Sequence, residues 1–165
     1  MVNIGIMPRK PPRQSLTRRK ALKAGYRSGI EHQAAKIFDS NTIAFEYETI
    51  KLKYSYKTTK RFYSCACCGS KELIFESQYL PDFYFTGKSL IYEFKGEWKP
   101  KDRKKQIAVQ QQNPEYEIVI IFQDPNKKIS KLQTYGSYAT KNGLKWFALK
   151  DKAKWLDYIK KKAPK

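Results

Sequence analysis

The 165-residue chain is poor in acidic residues, in cysteine and histidine, and in long apolar runs. Its 15 Asp and Glu stand against 34 Lys and Arg, which gives a formal net charge of +19. A surface this positive attracts polyanions, and nucleic acid is the commonest partner for such a charge. An anionic membrane surface or a ribosome-like scaffold is the alternative that charge alone leaves open.

The scarcity of apolar runs and cysteines excludes other classes of protein. No run approaches the ~20 apolar residues that span a bilayer, and the N-terminus lacks the apolar core of a secretory signal. The three cysteines are odd in number and clustered, which excludes a disulfide framework and favours a reducing, cytoplasmic location. Hydrophobic residues make up 41% of the chain, enough for one packed domain.

Residues 1–27 are strongly basic and contain no acidic residue. We expect a flexible arm that becomes ordered on DNA phosphates, although a solvated tail without a partner has the same composition. Residues 28–165 then form the folded domain. The basic residues expected to contact DNA are Arg9, Lys10, Arg13, Arg18, Arg19, Lys20 and Arg27 in the arm, and Arg103, Lys104 and Lys105 further along the chain.

Residues 28–165 carry a mixture of helical and strand patterns. Ser28 and Glu31 have the spacing of a capping box, which begins a helix. The alternation of apolar residues changes phase near Glu48 and Thr49, which predicts a bulge or bend inside a strand. The other predicted elements are strands over 82–85, 90–95, 116–122 and 144–149 and helices over 101–112, 135–142 and 152–162. This order predicts an α/β (α+β) fold with a mixed central β-sheet flanked by helices.

The predicted hairpin of residues 82–95 concentrates groups suited to phosphodiester hydrolysis. Side chains alternate along a strand, so Glu93 and Lys95 share a face, and Asp82 begins the partner strand. Two carboxylates can hold Mg²⁺, the Phe94 carbonyl can add a ligand, and a lysine can orient or deprotonate the attacking water or stabilise the developing charge. A surface ion pair is the ordinary alternative, but a carboxylate in an apolar strand is costly without a purpose. Glu31 is either a helix cap or a further carboxylate around a second ion.

These residues belong to a longer series of motifs. The series consists of Arg27-Ser28-Gly29-Ile30-Glu31, Phe45-Glu46-Tyr47-Glu48, Pro81-Asp82-Phe83, Glu93-Phe94-Lys95-Gly96, Asp102-Arg103-Lys104-Lys105, Tyr135-Gly136 and Lys141-Asn142-Gly143-Leu144-Lys145. With these motifs the chain resembles the PD-(D/E)xK nuclease superfamily and, more closely, the bacteriophage endonuclease I family of Holliday-junction resolvases. The resemblance covers roughly residues 26–148.

The resemblance implies that Glu31, Asp82 and Glu93 bind the metal and that Lys95 is the catalytic lysine. It implies Mg²⁺ or Mn²⁺ as the cofactor, and four-way and other branched DNA as the substrate. It also implies an intertwined homodimer, in which each active site takes Glu31 from one chain and the other three residues from its partner. A restriction-type nuclease with the same metal site and a non-catalytic nucleic-acid-binding scaffold are the alternatives.

Two features depart from the family pattern. Phe94 replaces the expected small polar residue, but its side chain should face away from the metal. The segment 57–79 overlaps the family's bridge between subunits and is longer here, which makes the dimer geometry harder to predict. Within it, Cys65 and Cys68 have the spacing of half a zinc site. Because the chain has no second pair, we expect reduced thiols, with a zinc ion shared by two chains as the alternative.

Overall fold

The computed structural model describes residues 16–58, 64–65, 69–70 and 73–162. The helices are α1 (Leu16–Lys23), α2 (Gly29–Ser40), α3 (Pro100–Gln112), α4 (Tyr135–Lys141) and α5 (Lys152–Lys161). The strands are β1 (Glu46–Tyr47), β2 (Leu52–Thr58), β3 (Ser64–Cys65), β4 (Gly69–Ser70), β5 (Leu73–Tyr79), β6 (Phe83–Phe85), β7 (Leu90–Lys95), β8 (Glu117–Phe122), β9 (Lys128–Ser130), β10 (Gln133–Thr134) and β11 (Lys145–Ala148). The chain divides between Ile37 and Phe38 into two compact units.

The second unit is built on a five-stranded mixed sheet with the strand order β1-β6-β7-β8-β11. Strand β6 is antiparallel to β1 and β7, whereas β8 is parallel to β7 and β11. The central strands β7 and β8 are almost wholly buried, which explains their nearly continuous apolar sequences. The expected α+β fold, with a mixed central sheet flanked by helices, is confirmed.

The two faces of β7 pack against different helices. On one face, the Phe94 ring contacts Trp155 of α5 edge to face, with 6.1 Å between the ring centroids. On the other face, Ile91 belongs to a buried cluster with Val109 of α3. Since side chains alternate along a strand, Glu93 lies on the same face as Ile91, which is the side that α3 covers.

The chain bends at Glu48, whose φ angle is +52°. The bend separates β1, which pairs with β6 in the central sheet, from β2, which pairs with β5 in a second sheet. The bend predicted from the phase change is therefore present, but the predicted single strand is two strands. The alternation of side chains is a local property, and it does not show which backbone partners each half will find.

Strands β2 and β5 pair over their full length, from Leu52 opposite Tyr79 to Thr58 opposite Leu73. The pairing is antiparallel and lies within one chain. The two ends of the segment 57–79 are therefore strands. The sequence indicated where this segment begins and ends, but it did not predict these strands. Strand β5 then leads directly into Pro81 and the β6–β7 hairpin, so the segment and the predicted site are joined. The exchange of strands between protomers stays a prediction.

Helix α1 of the first unit lies where the sequence predicts a flexible arm. Its arginine, lysine, leucine and alanine residues are good helix formers, which explains a helix there. It approaches α2 closely, because a Cβ atom on Gly29 would lie only 2.7 Å from Thr17 Cγ2. A side chain at position 29 would therefore require Thr17 or one of the helices to shift. Residues 1–15 of the predicted arm lie outside the described residues.

The remaining predicted helices and strands occur at nearly the expected boundaries. The turn between β6 and β7 uses Gly87 at a φ of +74°, a conformation that glycine adopts without strain. Within the described part of the chain, no helix is both long enough and apolar enough to cross a membrane.

Candidate active site

The β6–β7 hairpin brings together Asp82, Glu93 and Lys95, the three residues that the sequence places near one another. Lys95 Nζ lies 2.5 Å from Glu93 Oε1. The Asp82 backbone N–H donates to Glu93 Oε2 at 3.3 Å, and Asp82 Oδ2 accepts from the Phe94 backbone N–H at 2.8 Å. Both carboxylates are thus oriented by backbone groups of the hairpin itself.

The two carboxylates are deeply buried, with Asp82 and Glu93 each only 2% exposed. Burying neighbouring negative charges is costly unless a cation and hydrogen-bond donors compensate for the lost water. Burial alone would lower the pKa of Lys95, but the Glu93 carboxylate and then Asp82 outweigh it and raise that pKa above its ordinary value. Lys95 is therefore an ammonium ion at neutral pH, which suits charge stabilisation better than proton abstraction.

Tyr79 is a site residue that the sequence analysis missed. Its hydroxyl group donates to Glu93 Oε2 at 2.5 Å. Burial, and then the negative charges of Glu93 and Asp82, raise the pKa of Tyr79 well above its ordinary value, so the hydroxyl keeps its proton. The only sequence signal is a tyrosine shortly before Pro81-Asp82, which is weak in a chain with 12 tyrosines.

The Phe94 side chain faces away from this cluster, as expected. Its ring packs against Phe83, with 5.4 Å between the ring centroids, and it is 4% exposed. An aromatic residue between Glu93 and Lys95 therefore adds to the core without entering the site. A metal-binding role for the Phe94 carbonyl stays a prediction.

The donor atoms of the cluster suit a divalent cation. Mg²⁺ prefers oxygen ligands and is usually held by one or two carboxylates together with substrate phosphate and water. Asp82 and Glu93 are two such carboxylates side by side, linked by the hydrogen bond from the Asp82 backbone N–H to Glu93. Among the described residues, no group of three or more His, Cys, Asp or Glu side chains could hold a metal. The hairpin itself therefore offers two carboxylate ligands, Asp82 and Glu93.

Glu31 lies in the first unit, at the start of α2. Its Oε1 accepts from the Ser28 hydroxyl at 2.6 Å, its Oε2 accepts from the Ser28 backbone N–H, and its own N–H donates to Ser28 Oγ, the last two at 3.3 Å. These reciprocal bonds confirm the predicted capping box. Glu31 is 6% exposed. Its assignment as a metal ligand stays a prediction.

The basic residues of the arm are partly described. Arg18, Arg19 and Lys20 are exposed along α1, and Arg27 is exposed just before α2. The remaining candidates in the arm lie outside the described residues: Arg9, Lys10 and Arg13. Contact of this surface with DNA stays a prediction.

The three basic residues predicted to bind DNA on α3 have different surroundings. Lys104 is exposed. Arg103 donates to the Trp98 carbonyl at 2.8 Å, and its guanidinium lies 5.5 Å from the Tyr138 ring centroid. Lys105 forms an ion pair with Asp102 at 3.6 Å. Arg103 therefore already has a structural role within the fold, whereas Lys104 points to solvent.

The side chains of the two predicted zinc ligands, Cys65 and Cys68, lie outside the described part of the structure. Cys68 lies outside the described residues, and Cys65 is described only by its backbone in β3. Zinc binding by this pair stays a prediction.

Comparison with known proteins gives the same assignment as the motifs. The sequence matches the family model described as Phage endonuclease I over residues 75–165, more than half of the chain. It is 30% identical over 141 residues to Endonuclease I of Escherichia phage T7, which covers 84% of this chain and 83% of that relative. It is 28% identical over 121 residues to Endodeoxyribonuclease 1 of Enterobacteria phage T3, which covers 72% of this chain and 68% of that relative. The chain therefore belongs to the phage endonuclease I family and is an endonuclease.

Proposed function

We propose that this endonuclease cuts branched DNA, especially four-way junctions, by metal-dependent hydrolysis of phosphodiester bonds. The observation that carries the proposal is the cluster of Asp82, Glu93 and Lys95, in which two carboxylates, each 2% exposed, lie beside one ammonium ion. The net charge of +19 supports a polyanionic substrate. The relative from phage T3 is named an endodeoxyribonuclease, which supports DNA in particular. Such an enzyme would act in the cytoplasm of the host cell.

In this proposal Asp82 and Glu93 hold Mg²⁺ or Mn²⁺, with the Phe94 carbonyl as an additional ligand. A bound metal supplies an activated water and neutralises negative charge on the phosphate. Lys95, held by Glu93, contributes a further positive charge as negative charge develops on the phosphate oxygens. Tyr79 and the Asp82 backbone N–H keep the Glu93 carboxylate in one orientation.

We also propose that the enzyme is a homodimer with composite active sites. Glu31 of one protomer would join Asp82, Glu93 and Lys95 of its partner, as the resemblance to the family implies. Exchange of a strand between protomers keeps the contacts of that strand and adds interface, so it is a low-cost route to a dimer. Two linked sites would allow paired nicks on opposite sides of one junction.

The test compares a synthetic four-way junction with a linear duplex of the same sequence, each with Mg²⁺ and with EDTA. We expect nicks in the junction only with Mg²⁺ and few nicks in the duplex. Glu93→Gln should abolish cleavage and keep junction binding, because phosphate contacts come from lysine and arginine side chains elsewhere. The matched control is Glu97→Gln, which removes an exposed carboxylate paired with Lys99 and should leave cleavage intact.

Three results would contradict the proposal. Cuts at fixed sequences in the linear duplex would indicate a restriction-type enzyme. Binding by the wild-type protein without cleavage would indicate a non-catalytic scaffold. Loss of binding together with activity in Glu93→Gln would show that Glu93 has a role in folding or DNA contact instead.

A further inference from the structure

A small cleft lies between strand β2 and helix α3. Its volume is about 180 Å³. Its polar and aromatic lining consists of Tyr54, Tyr56, Lys57, Lys101, Lys104 and Lys105. Four of these residues are lysines, and no carboxylate is among the described residues that line the cleft. Cavities for drug-sized ligands are larger, about 300–1,000 Å³, so this one suits a single planar group attached to an anion.

One wall of the cleft carries the aromatic rings of Tyr54 and Tyr56. The centroids of the Tyr54 and Tyr56 rings lie 6.1 Å apart, and the angle between the ring planes is 29°. Tyr56 in turn stacks on Phe75 of β5, with 5.9 Å between the ring centroids and an angle of 22°. Tyr56 is 47% exposed, although tyrosine rings usually bury most of their apolar surface. Exposed aromatic rings beside lysines are the arrangement with which proteins hold unpaired nucleobases.

The cleft is close to the buried carboxylates of the active site. Lys105, which lines the cleft, has its Nζ 5.2 Å from the centroid of the Tyr79 ring. The Tyr79 hydroxyl donates directly to Glu93. The cleft is thus connected to the proposed site of hydrolysis through Lys105, Tyr79 and Glu93.

We propose that this cleft is a subsite for one unpaired nucleotide of branched DNA. The base stacks on Tyr56, and the flanking phosphates contact Lys101 and Lys104. The inference rests on the proposed function and adds a specificity to it: branches that expose an unpaired base are bound more tightly than branches that do not.

The experiment measures binding by fluorescence anisotropy in EDTA, so that no cleavage occurs. Two forked DNA probes are identical except for one unpaired position at the branch, which carries a base in one probe and is abasic in the other. We expect the wild-type protein to prefer the probe with the base by roughly 5- to 150-fold, the range that base–aromatic stacking supports. Tyr56→Leu should abolish the preference, whereas Tyr56→Phe should keep it. Because Tyr56 is 47% exposed, neither change opens the core.

Lysine variants separate stacking from charge. Lys104→Ala should weaken binding of both probes by the same factor and lower the log–log salt slope by roughly 0.7 to 0.9. Lys160→Ala, which removes an exposed lysine on α5, is the matched control and should leave the affinity for both probes and the salt slope close to those of the wild type.

The outcomes distinguish this inference from the function on which it rests. Equal binding of the two probes by the wild type, or a Tyr56→Leu protein that keeps the preference, overturns the subsite. The subsite is also overturned if Tyr56→Leu changes the oligomeric state and leaves the preference for the unpaired base unchanged. That result would mean that a second copy of the chain, and not a nucleotide, covers the cleft. Failure of the wild type to bind either probe contradicts the proposed action on branched DNA itself.

Discussion

Replacing Lys95 with methionine tests the electrostatics of the buried cluster. The change keeps an unbranched side chain of similar length but removes the ammonium group 2.5 Å from Glu93 Oε1. Asp82 and Glu93, each 2% exposed, then remain close together without the charge of Lys95. We expect the metal-free protein to lose stability at neutral pH.

The size of the loss follows from the surroundings of the Lys95–Glu93 pair. Removing one partner of a buried ion pair costs about 3–5 kcal/mol. The Lys95 side chain is 19% exposed, and the hydrogen bonds from Tyr79 and the Asp82 backbone to Glu93 remain. Water and these donors reduce the expected loss to about 2–3 kcal/mol.

The loss should depend on pH and on metal. Because the pKa of Lys95 is raised above 10.5, its contribution in the wild type is complete at neutral pH and disappears only as the pH rises through that raised value. Mg²⁺ should stabilise Lys95→Met more than the wild type, since the cation replaces the missing charge.

The assay is urea unfolding at pH 7, followed by tryptophan fluorescence, in EDTA and in Mg²⁺. The control is Lys161→Met, which breaks an exposed pair with Asp157 whose side chains are 76% and 55% exposed. That change should cost under about 0.5 kcal/mol, and Mg²⁺ should not alter it. If Lys95→Met costs no more than Lys161→Met, Lys95 does not offset the buried charge. If Mg²⁺ gives Lys95→Met no additional stability, the assignment of Asp82 and Glu93 as metal ligands is wrong.

Further changes test the dimer, the N-terminal helix and a partly buried ion pair outside the site. Refolding a mixture of Glu31→Ala and Lys95→Ala protomers should give heterodimers with one intact composite site. These heterodimers should nick a junction once, although both parent homodimers are inactive. Confirmed heterodimers that do not nick would refute strand exchange. Replacing basic residues 18–20 with glutamine should weaken the salt dependence of junction binding, measured by fluorescence anisotropy. The slope of log affinity against log salt concentration should fall by about 0.9 for each phosphate that α1 no longer neutralises. An unchanged slope means that α1 does not touch DNA. Burial alone would raise the pKa of Glu117, but hydrogen bonds, first of all the one from Lys162, lower this pKa below its ordinary value. The Glu117→Gln protein should therefore be less stable than the wild type in urea at pH 7. This difference in stability should fade below about pH 4, as the Glu117 carboxylate of the wild type becomes protonated. A difference of equal size at pH 7 and below pH 4 would contradict the charge argument.

Features that depend on neighbours in the chain could be predicted from the sequence. The capping box of Ser28 and Glu31, the turn at Gly87 and the shared face of Glu93 and Lys95 all follow from local spacing. The helical period of 3.6 and the strand period of 2 act over a few residues, so a pattern shows them without knowledge of the fold. The family motifs are also contiguous stretches, which is why membership of the family could be predicted from the sequence alone.

Features that depend on distant residues were decided only by the tertiary structure. Tyr79 donates to Glu93 because β5 pairs with β2 and leads into the hairpin, and its one local signal, a place shortly before Pro81-Asp82, is weak. The chain beyond Glu48 joins β5 rather than the central sheet, and the cleft at Tyr56 exists only because β2 lies beside α3. Pairing and packing between distant segments depend on the free energy of the whole core. The residue pattern of a single segment therefore does not predict which other segments it will contact.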